Sequence, residues 1–409
     1  MNRPVLSQLL NVPVIVAALG YFVDIYDLLL FGIVRLPSLR AIGVPEDALL
    51  NEGIYLINVQ MIGLLIGGIV WGIFGDKKGR LSVLFGSILL YSVANIANGF
   101  ITNVHQYAVL RFIAGVGLAG ELGAGITLVS EILPKEIRGY GTTLVASVGM
   151  FGAVLAYFVA DAFDWRVAYY IGGGLGIALL ITRISVYESG IFVNLRERDN
   201  IQRGNFLQLL TSANRLKRYL SCILIGTPIW YVIGILVILS PEFGTAFSLP
   251  EPLVAGKAVM YSYIGLALGD VSSGLLSQWL KSRKKVVFIF ILLTGLFILV
   301  YTLAPIKSTS FYYLMTVCLG FSVGYWALFV TVASEQFGTN LRATVTTTVP
   351  NFIRGTLPAL NYFFLLAKAQ WGIATGALIV GAGTIVIALI ALSMLTETFS
   401  KDLNFVESE

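Results

Sequence analysis

The chain has 409 residues, of which 57% are apolar and only 12% charged, and its formal net charge is +5. A soluble protein is about 25% charged, so this chain lacks the polar groups to cover its own surface in water, and a soluble globular fold is excluded. The lysine and arginine excess follows membrane topology and gives no ground for a nucleic-acid partner.

A hydrocarbon core of about 30 Å needs ~20 apolar residues per helical span. Twelve such runs are predicted, at 12–34, 53–75, 81–101, 106–132, 140–163, 167–187, 219–241, 257–280, 286–305, 311–333, 343–367 and 372–396. None shows the sustained period-two alternation of a membrane barrel. The expected fold class is an all-α integral membrane protein with twelve transmembrane helices. With the N-terminus inside, 19 lysines and arginines fall in cytoplasmic segments and 6 on the opposite side. The positive-inside rule then predicts both termini in the cytoplasm. Arg183 is counted among the cytoplasmic residues, whereas Arg111 and Arg354 lie within spans. The first run is as long as a span and lacks a small-residue cleavage site, so no cleaved signal is expected. A basic inner surface fits a bacterial cytoplasmic membrane, and Cys222 and Cys318, predicted near opposite faces, are not expected to pair.

In span one, Asp24 and Asp27 are three residues apart and share one helical face. Charged groups at this depth cost at least ~2.5 kcal/mol each and mark function. The loop after span two, GIFGDKKGR, is a short cytoplasmic turn carrying Gly72, Asp76, Lys77, Gly79 and Arg80. Span four places Arg111 in the outer half and Glu121 near the bilayer centre. Their depths predict an Asp27–Arg111 pair, with Asp24 or Glu121 left to load and release a proton. Glu131 and Arg138, followed by Thr142 and Thr143, recur 204 residues on as Glu335 and Arg342, followed by Thr346 and Thr347. That repeat predicts two pseudo-symmetric six-helix halves, 1–187 and 219–409, joined by a polar cytoplasmic linker at 188–218. In the second half, Asp270 of span eight and Arg354 of span eleven are expected at equal depth, paired or meeting through substrate. Asn351 lies one turn before Arg354, and Trp230, Tyr231, Tyr325 and Trp326 are candidate wall residues. Arginine suits carboxylate recognition, so Arg111, Asn351 and Arg354 are the leading substrate residues, with Asp24, Asp27 and Glu121 as the proton sites.

The motif at 72–80 resembles the loop signature of the major facilitator superfamily, and Arg111, Gly115, Gly117 and Gly120 resemble its span-four signature. Tyr26–Asp27, Gly120–Glu121 and the series Glu131, Pro134, Arg138, Gly139 are most similar to the metabolite:proton symporter and sugar-porter-like branch. The resemblance implies alternating access by rocking of the two halves, driven by a proton. Asp76, Lys77, Arg80, Glu131, Arg138, Glu335 and Arg342, with Gly72 and Gly79, then form a cytoplasmic gate. Two departures stand out. Span five reads SVGMFGAVLA, without the glycine–proline signature of proton antiporters, which argues against drug efflux; and the repeat offset puts Leu280 where the first half has Asp76.

The functional expectation is a proton-coupled importer of a small polar organic solute, favoured as a di- or tricarboxylate or its metal chelate. An organic-cation or osmolyte symporter, a passive facilitator and a non-transporting receptor on the same fold are the alternatives. His105 is the sole histidine and sits at an outer loop. No P-loop, nucleophile elbow or Cys/His cluster occurs, so neither an enzyme nor a metal or other cofactor is expected. The partners are a small-molecule substrate, protons and the lipid bilayer, and a monomer is expected.

Overall fold

A computed structural model describes residues 10–78, 80–121, 129, 133, 137–188, 206–399 and 407. Gly79 and Glu131, and the side chains of Asp76, Lys77, Arg80 and Arg138, lie outside the described residues.

Apolar content makes the helices, and short polar signals start them. Span one, Val12–Ala41, begins where Asn11 Oδ1 accepts a hydrogen bond from the Val14 amide at 3.0 Å, just ahead of which Pro13 needs no partner. Span nine, Arg283–Leu303, is capped by Ser282 Oγ, which accepts from the Lys285 amide at 3.1 Å. Spans two, three, five, six and eight are Leu49–Lys78, Arg80–Asn98, Arg138–Ala162, Trp165–Glu188 and Ala255–Trp279.

The other spans are interrupted. Span four runs as Val104–Leu118 and breaks at Ala119. Span seven consists of Ala213–Leu224, Thr227–Tyr231, a π-helical turn Val232–Val237 and Ser240–Ala246. Span ten is Thr309–Ser322 and Trp326–Glu335. Span eleven is Thr339–Arg354 and restarts at Leu357 in a helix that turns back at Gly372 (φ 80) and continues as span twelve to Met394. Three of the restarts carry a proline in their first turn, Pro228, Pro241 and Pro358, where the missing amide costs nothing. Among the described residues, nine helices are long and apolar enough to cross a membrane. Span three is shorter, span four is described over Val104–Leu118, and the last long helix turns back at Gly372, an arrangement consistent with twelve spans.

The packing repeats between halves. Spans one and five, two and four, and three and six pack together, as do seven and eleven, eight and ten, and nine and twelve. Between the halves, span five meets span eight and span two meets span eleven. The glycine runs do the close packing that small residues permit in lipid: a Cβ on Gly63 or Gly67 would strike the backbone of Phe112 or Val116, and one on Gly265 or Gly269 that of Val317 or Phe321. Span seven starts at Ala213, inside the stretch predicted as linker, and Phe206 ahead of it packs on Tyr219 and Phe352. Cys222 and Cys318 are free thiols, and His105 is exposed.

Candidate functional site

The breaks of spans seven, ten and eleven converge on Arg354, the last residue of its helix segment. Its guanidinium carbon lies 5.5 Å from the ring centroid of Trp230 and 5.5 Å from that of Trp326, so it is held between two indoles. The breaks create this arrangement, because Trp230 sits in the short segment after Gly226 and Trp326 opens the inner half of span ten. Arg354 is 2% exposed; its Nη1 donates to Asn351 Oδ1 at 3.4 Å and its Nε has no hydrogen-bond partner. Asn351 Nδ2 donates to the carbonyl of Ala119 at 2.9 Å, just past the helix segment Val104–Leu118. One asparagine thus ties the arginine to the opposite half.

Of the two expectations for Asp270 and Arg354, the direct ion pair does not form. Asp270 Oδ1 instead accepts from the Ala327 amide at 3.0 Å, at the start of the half-helix Trp326–Glu335, and Oδ2 has no partner. The positive end of a helix is a favourable seat for a carboxylate.

In the first half, the expectation that Glu121 is free is corrected. Arg183 Nη1 donates to Glu121 Oε2 at 2.8 Å and Nη2 to Oε1, a two-pronged pair between buried side chains. Arg183, counted as a cytoplasmic residue, is therefore an interior one, 7% exposed. Asp24 lies in the field of Glu121, Arg354, Asp27 and Arg183, and its Oδ1 has no hydrogen-bond partner. Tyr21, one turn earlier on the same face, stands among Arg354, Asp270, Trp326 and Asp24, with its ring against Gly149 of span five. Tyr21 and Arg183 were both missed by sequence reasoning. Arg183 falls inside the predicted span 167–187, and Tyr21 sits three residues from Asp24; those were the available signals.

Asp27 and Arg111 are neighbours but not an ion pair. Arg111 Nη2 donates to Asn95 Oδ1 at 2.7 Å and its guanidinium lies 4.9 Å from the Tyr169 ring, while both Asp27 oxygens lack a hydrogen-bond partner. Tyr169 meets Tyr107 hydroxyl to hydroxyl at 2.7 Å, and Tyr107 donates to Ser38. This network is internal to the first half, and Arg111 is not brought to Arg354. Tyr231 and Tyr325 are also placed elsewhere: Tyr231 donates to the Ala377 carbonyl, and Tyr325 to that of Ile225 at 2.9 Å. Both clamp helices inside the second half.

Of the predicted gate residues that are described, Gly72 lies where an added Cβ would meet Thr348 of span eleven at ordinary van der Waals distance. Glu335 accepts from Thr398 Oγ1 at 2.7 Å and lies 3.5 Å from Arg283, while Arg342 donates to the carbonyls of Ser334 and Phe337. At the opposite end, Arg35 of span one, fully buried, and Glu242 of span seven, partly buried, form a 2.5 Å ion pair across the halves.

Paired six-span repeats, broken helices at mid-depth and ionisable groups facing one another between the halves are the build of an alternating-access carrier. The chain belongs to the Major Facilitator Superfamily, whose profile matches residues 17–355. It is 27% identical over 330 residues to the niacin transporter NiaP of Acinetobacter baylyi, covering 71% of this chain and 73% of that one. It is 24% identical over 345 residues to a gentisate transporter of Corynebacterium glutamicum, covering 78% and 73%. Among solved structures it superposes on the major facilitator transporter FucP in an outward conformation, with a TM-score of 0.66 at 15% identity, covering 95% of this chain and 100% of that one. The protein is a multi-pass membrane transporter and not an enzyme.

Proposed function

We propose that the protein is a proton-coupled importer of a small aromatic or heteroaromatic monocarboxylate. The observation that carries this reading is Arg354 between Trp230 and Trp326 with its Nε unpartnered. A guanidinium beside two rings still has an N–H edge to present, the group a carboxylate takes bidentately. The indoles next to it offer surfaces on which a flat ring can stack. Among the described residues a single arginine stands at this site, because Arg183 is engaged by Glu121 and Arg111 lies apart, beside Asn95 and Tyr169. One available cation matches one carboxylate better than the di- or tricarboxylate expected from the sequence. The relatives named for niacin and gentisate, both aromatic acids with one carboxyl group, support the same choice.

Proton work belongs to the first half. Asp24 faces the site without an ion-pair partner, so a proton on it removes an uncompensated buried charge. Glu121 and Asp27 are accessory, the first committed to Arg183 and the second beside Asn95 and Arg111. Rocking of the two halves, gated on the inner side by the clusters around Asp76, Glu131, Glu335 and Arg342, then moves the site from one face to the other. We place the protein in a bacterial cytoplasmic membrane with both termini inside, a reading that rests on the charge bias of its loops.

The test is uptake into proteoliposomes under an imposed pH gradient, comparing nicotinate, benzoate and gentisate with citrate. Concentrative uptake of at least one aromatic acid is expected, reduced more than tenfold by Arg354→Lys, which keeps the charge and loses the fork. Uptake confined to citrate, or undiminished in Arg354→Ala, would sink the proposal.

A further inference from the structure

At the inner end of the second half, remote from Arg354, a cleft of about 690 Å³ opens between the start of span seven and the ends of spans ten and twelve. Arg215, Lys217 and Arg218 line it, with the hydroxyl residues Thr211 and Ser212 and, opposite, Gln336. Arg215 is nine-tenths buried and donates from Nη2 to Thr211 Oγ1 at 3.2 Å; Arg218 lies with its guanidinium 4.5 Å from the Phe337 ring. The carboxylate among the lining residues is Glu407, which accepts from Arg218 Nη2 at 2.7 Å, and Arg218 Nε is left without a partner. Among the described lining residues three cations face one carboxylate, an excess of two positive charges. Ser212, which lines the cleft, makes no side-chain cap, so first-turn amides of Ala213–Leu224 are left without one.

We infer that this cleft is an anion site for a phosphate monoester and that Glu407 occupies part of it when the ligand is absent. Two arginines in fork geometry, a lysine and helix-start amides are the donor set that phosphate oxygens take, and a dianionic phosphate matches the charge excess. The volume lies in the ordinary range for small-ligand sites, about 300–1,000 Å³. The same chemistry is offered by a soluble phosphorylated metabolite and by a lipid with a phosphomonoester headgroup. Neither is used by the transport reading, which stands or falls separately.

Thermal unfolding of the purified full chain decides the matter, with inorganic phosphate and glycerol 3-phosphate as soluble probes and phosphatidic acid against phosphatidylcholine in bicelles as lipid probes. A saturable rise in melting temperature is expected with at least one phosphomonoester probe, and which arm responds identifies the source. Glu407→Gln, which removes the internal competitor, is expected to tighten the apparent affinity severalfold. Lys217→Gln, at an exposed position that tolerates change, is expected to weaken it severalfold. No saturable shift from any probe, or a shift that either variant leaves unchanged, overturns the inference.

Discussion

Asp24 and Glu121, both buried and both near mid-membrane, differ in what faces them. Glu121 is met by both prongs of Arg183, so Glu121→Gln leaves a buried guanidinium unpaired, a change that costs about 3–5 kcal/mol in comparable pairs. A clear fall in melting temperature is expected, largely reversed in the double variant Glu121→Gln/Arg183→Gln. Asp24 has no such partner, so Asp24→Asn is expected to leave the melting temperature unchanged or raised. The same variant should lose pH-driven accumulation while keeping substrate exchange at equal pH. Accumulation that survives in Asp24→Asn would move proton coupling elsewhere or make the protein a facilitator. At this scale the sequence was legible in residue type: both acids, Arg111 and Arg354 are buried inside the protein. Partner choice was not legible. Arg183 was hidden because counting charges at helix ends treats a residue in the last turns of a span as loop. The Asp27–Arg111 pair was overcalled because Asn95, a neutral residue with no charge to attract notice, takes the arginine's hydrogen bond.

Among the elements, interruption is what makes the second-half site. The inner half of span ten begins at Trp326, and Asp270 holds that beginning through the Ala327 amide. Removing a side-chain acceptor at a helix start costs about 1 kcal/mol, so Asp270→Ala is expected to lower stability by that order, and Asp270→Asn, which keeps an acceptor, by less. Because Trp326 moves with this helix start, Asp270→Ala should also weaken substrate affinity, read by calorimetric titration; full affinity would show that Asp270 does not position the indole. A second carboxylate does comparable work outside the membrane. Glu397, after span twelve, accepts from Ser282 Oγ and from the amides of Arg283 and Lys284 at 2.9 and 3.2 Å. Burial pushes its carboxyl up, but these hydrogen bonds and those from Phe399 and Thr398 outweigh it and hold it below the usual carboxylate range. A depressed group stabilises above its unfolded value and loses that contribution as pH falls through its folded one. The melting temperature of Glu397→Gln should therefore lie below that of the parent at neutral pH and converge with it in acid. Element breaks were partly legible, since Pro228, Pro241 and Pro358 mark restarts. The break of span ten has no proline, only Gly324 packed against Gly269, and the π-helical turn at Val232–Val237 has no sequence sign. Without these breaks the facing of neighbouring aromatics cannot be fixed, which is why Tyr231 and Tyr325 were grouped with the tryptophans beside them.

For the whole molecule, the two halves are locked at the end that the loop charges predict to be the outer one. Arg35 of span one and Glu242 of span seven pair at 2.5 Å with Arg35 fully buried; Asn361 Nδ2 donates to Asn58 Oδ1 at 2.7 Å; and Gly256 of span eight faces Ile33 and Tyr157. Each contact joins a first-half span to a second-half span, so each must part if the outer face is to open. The ion pair is the dominant candidate among them, because parting it separates charges at a partly desolvated position, whereas the others exchange one neutral neighbour for another. Glu242→Gln removes the charge while keeping shape, and the closed state loses stability relative to the open one; a tenfold shift in that equilibrium corresponds to about 1.4 kcal/mol. The measurement is labelling by a membrane-impermeant maleimide of a cysteine placed at Asn58, in a chain whose Cys222 and Cys318 are replaced by serine. Glu242→Gln is expected to speed labelling severalfold from the outside, and the charge swap Arg35→Glu/Glu242→Arg to restore the slower rate. Equal labelling in all three chains would show that the outer closure is held by packing between spans two and eleven and not by the pair. A substrate that binds the closed form more tightly should slow labelling in the parent in proportion to that preference, which connects the outer lock to the arginine at the centre by a single measured equilibrium.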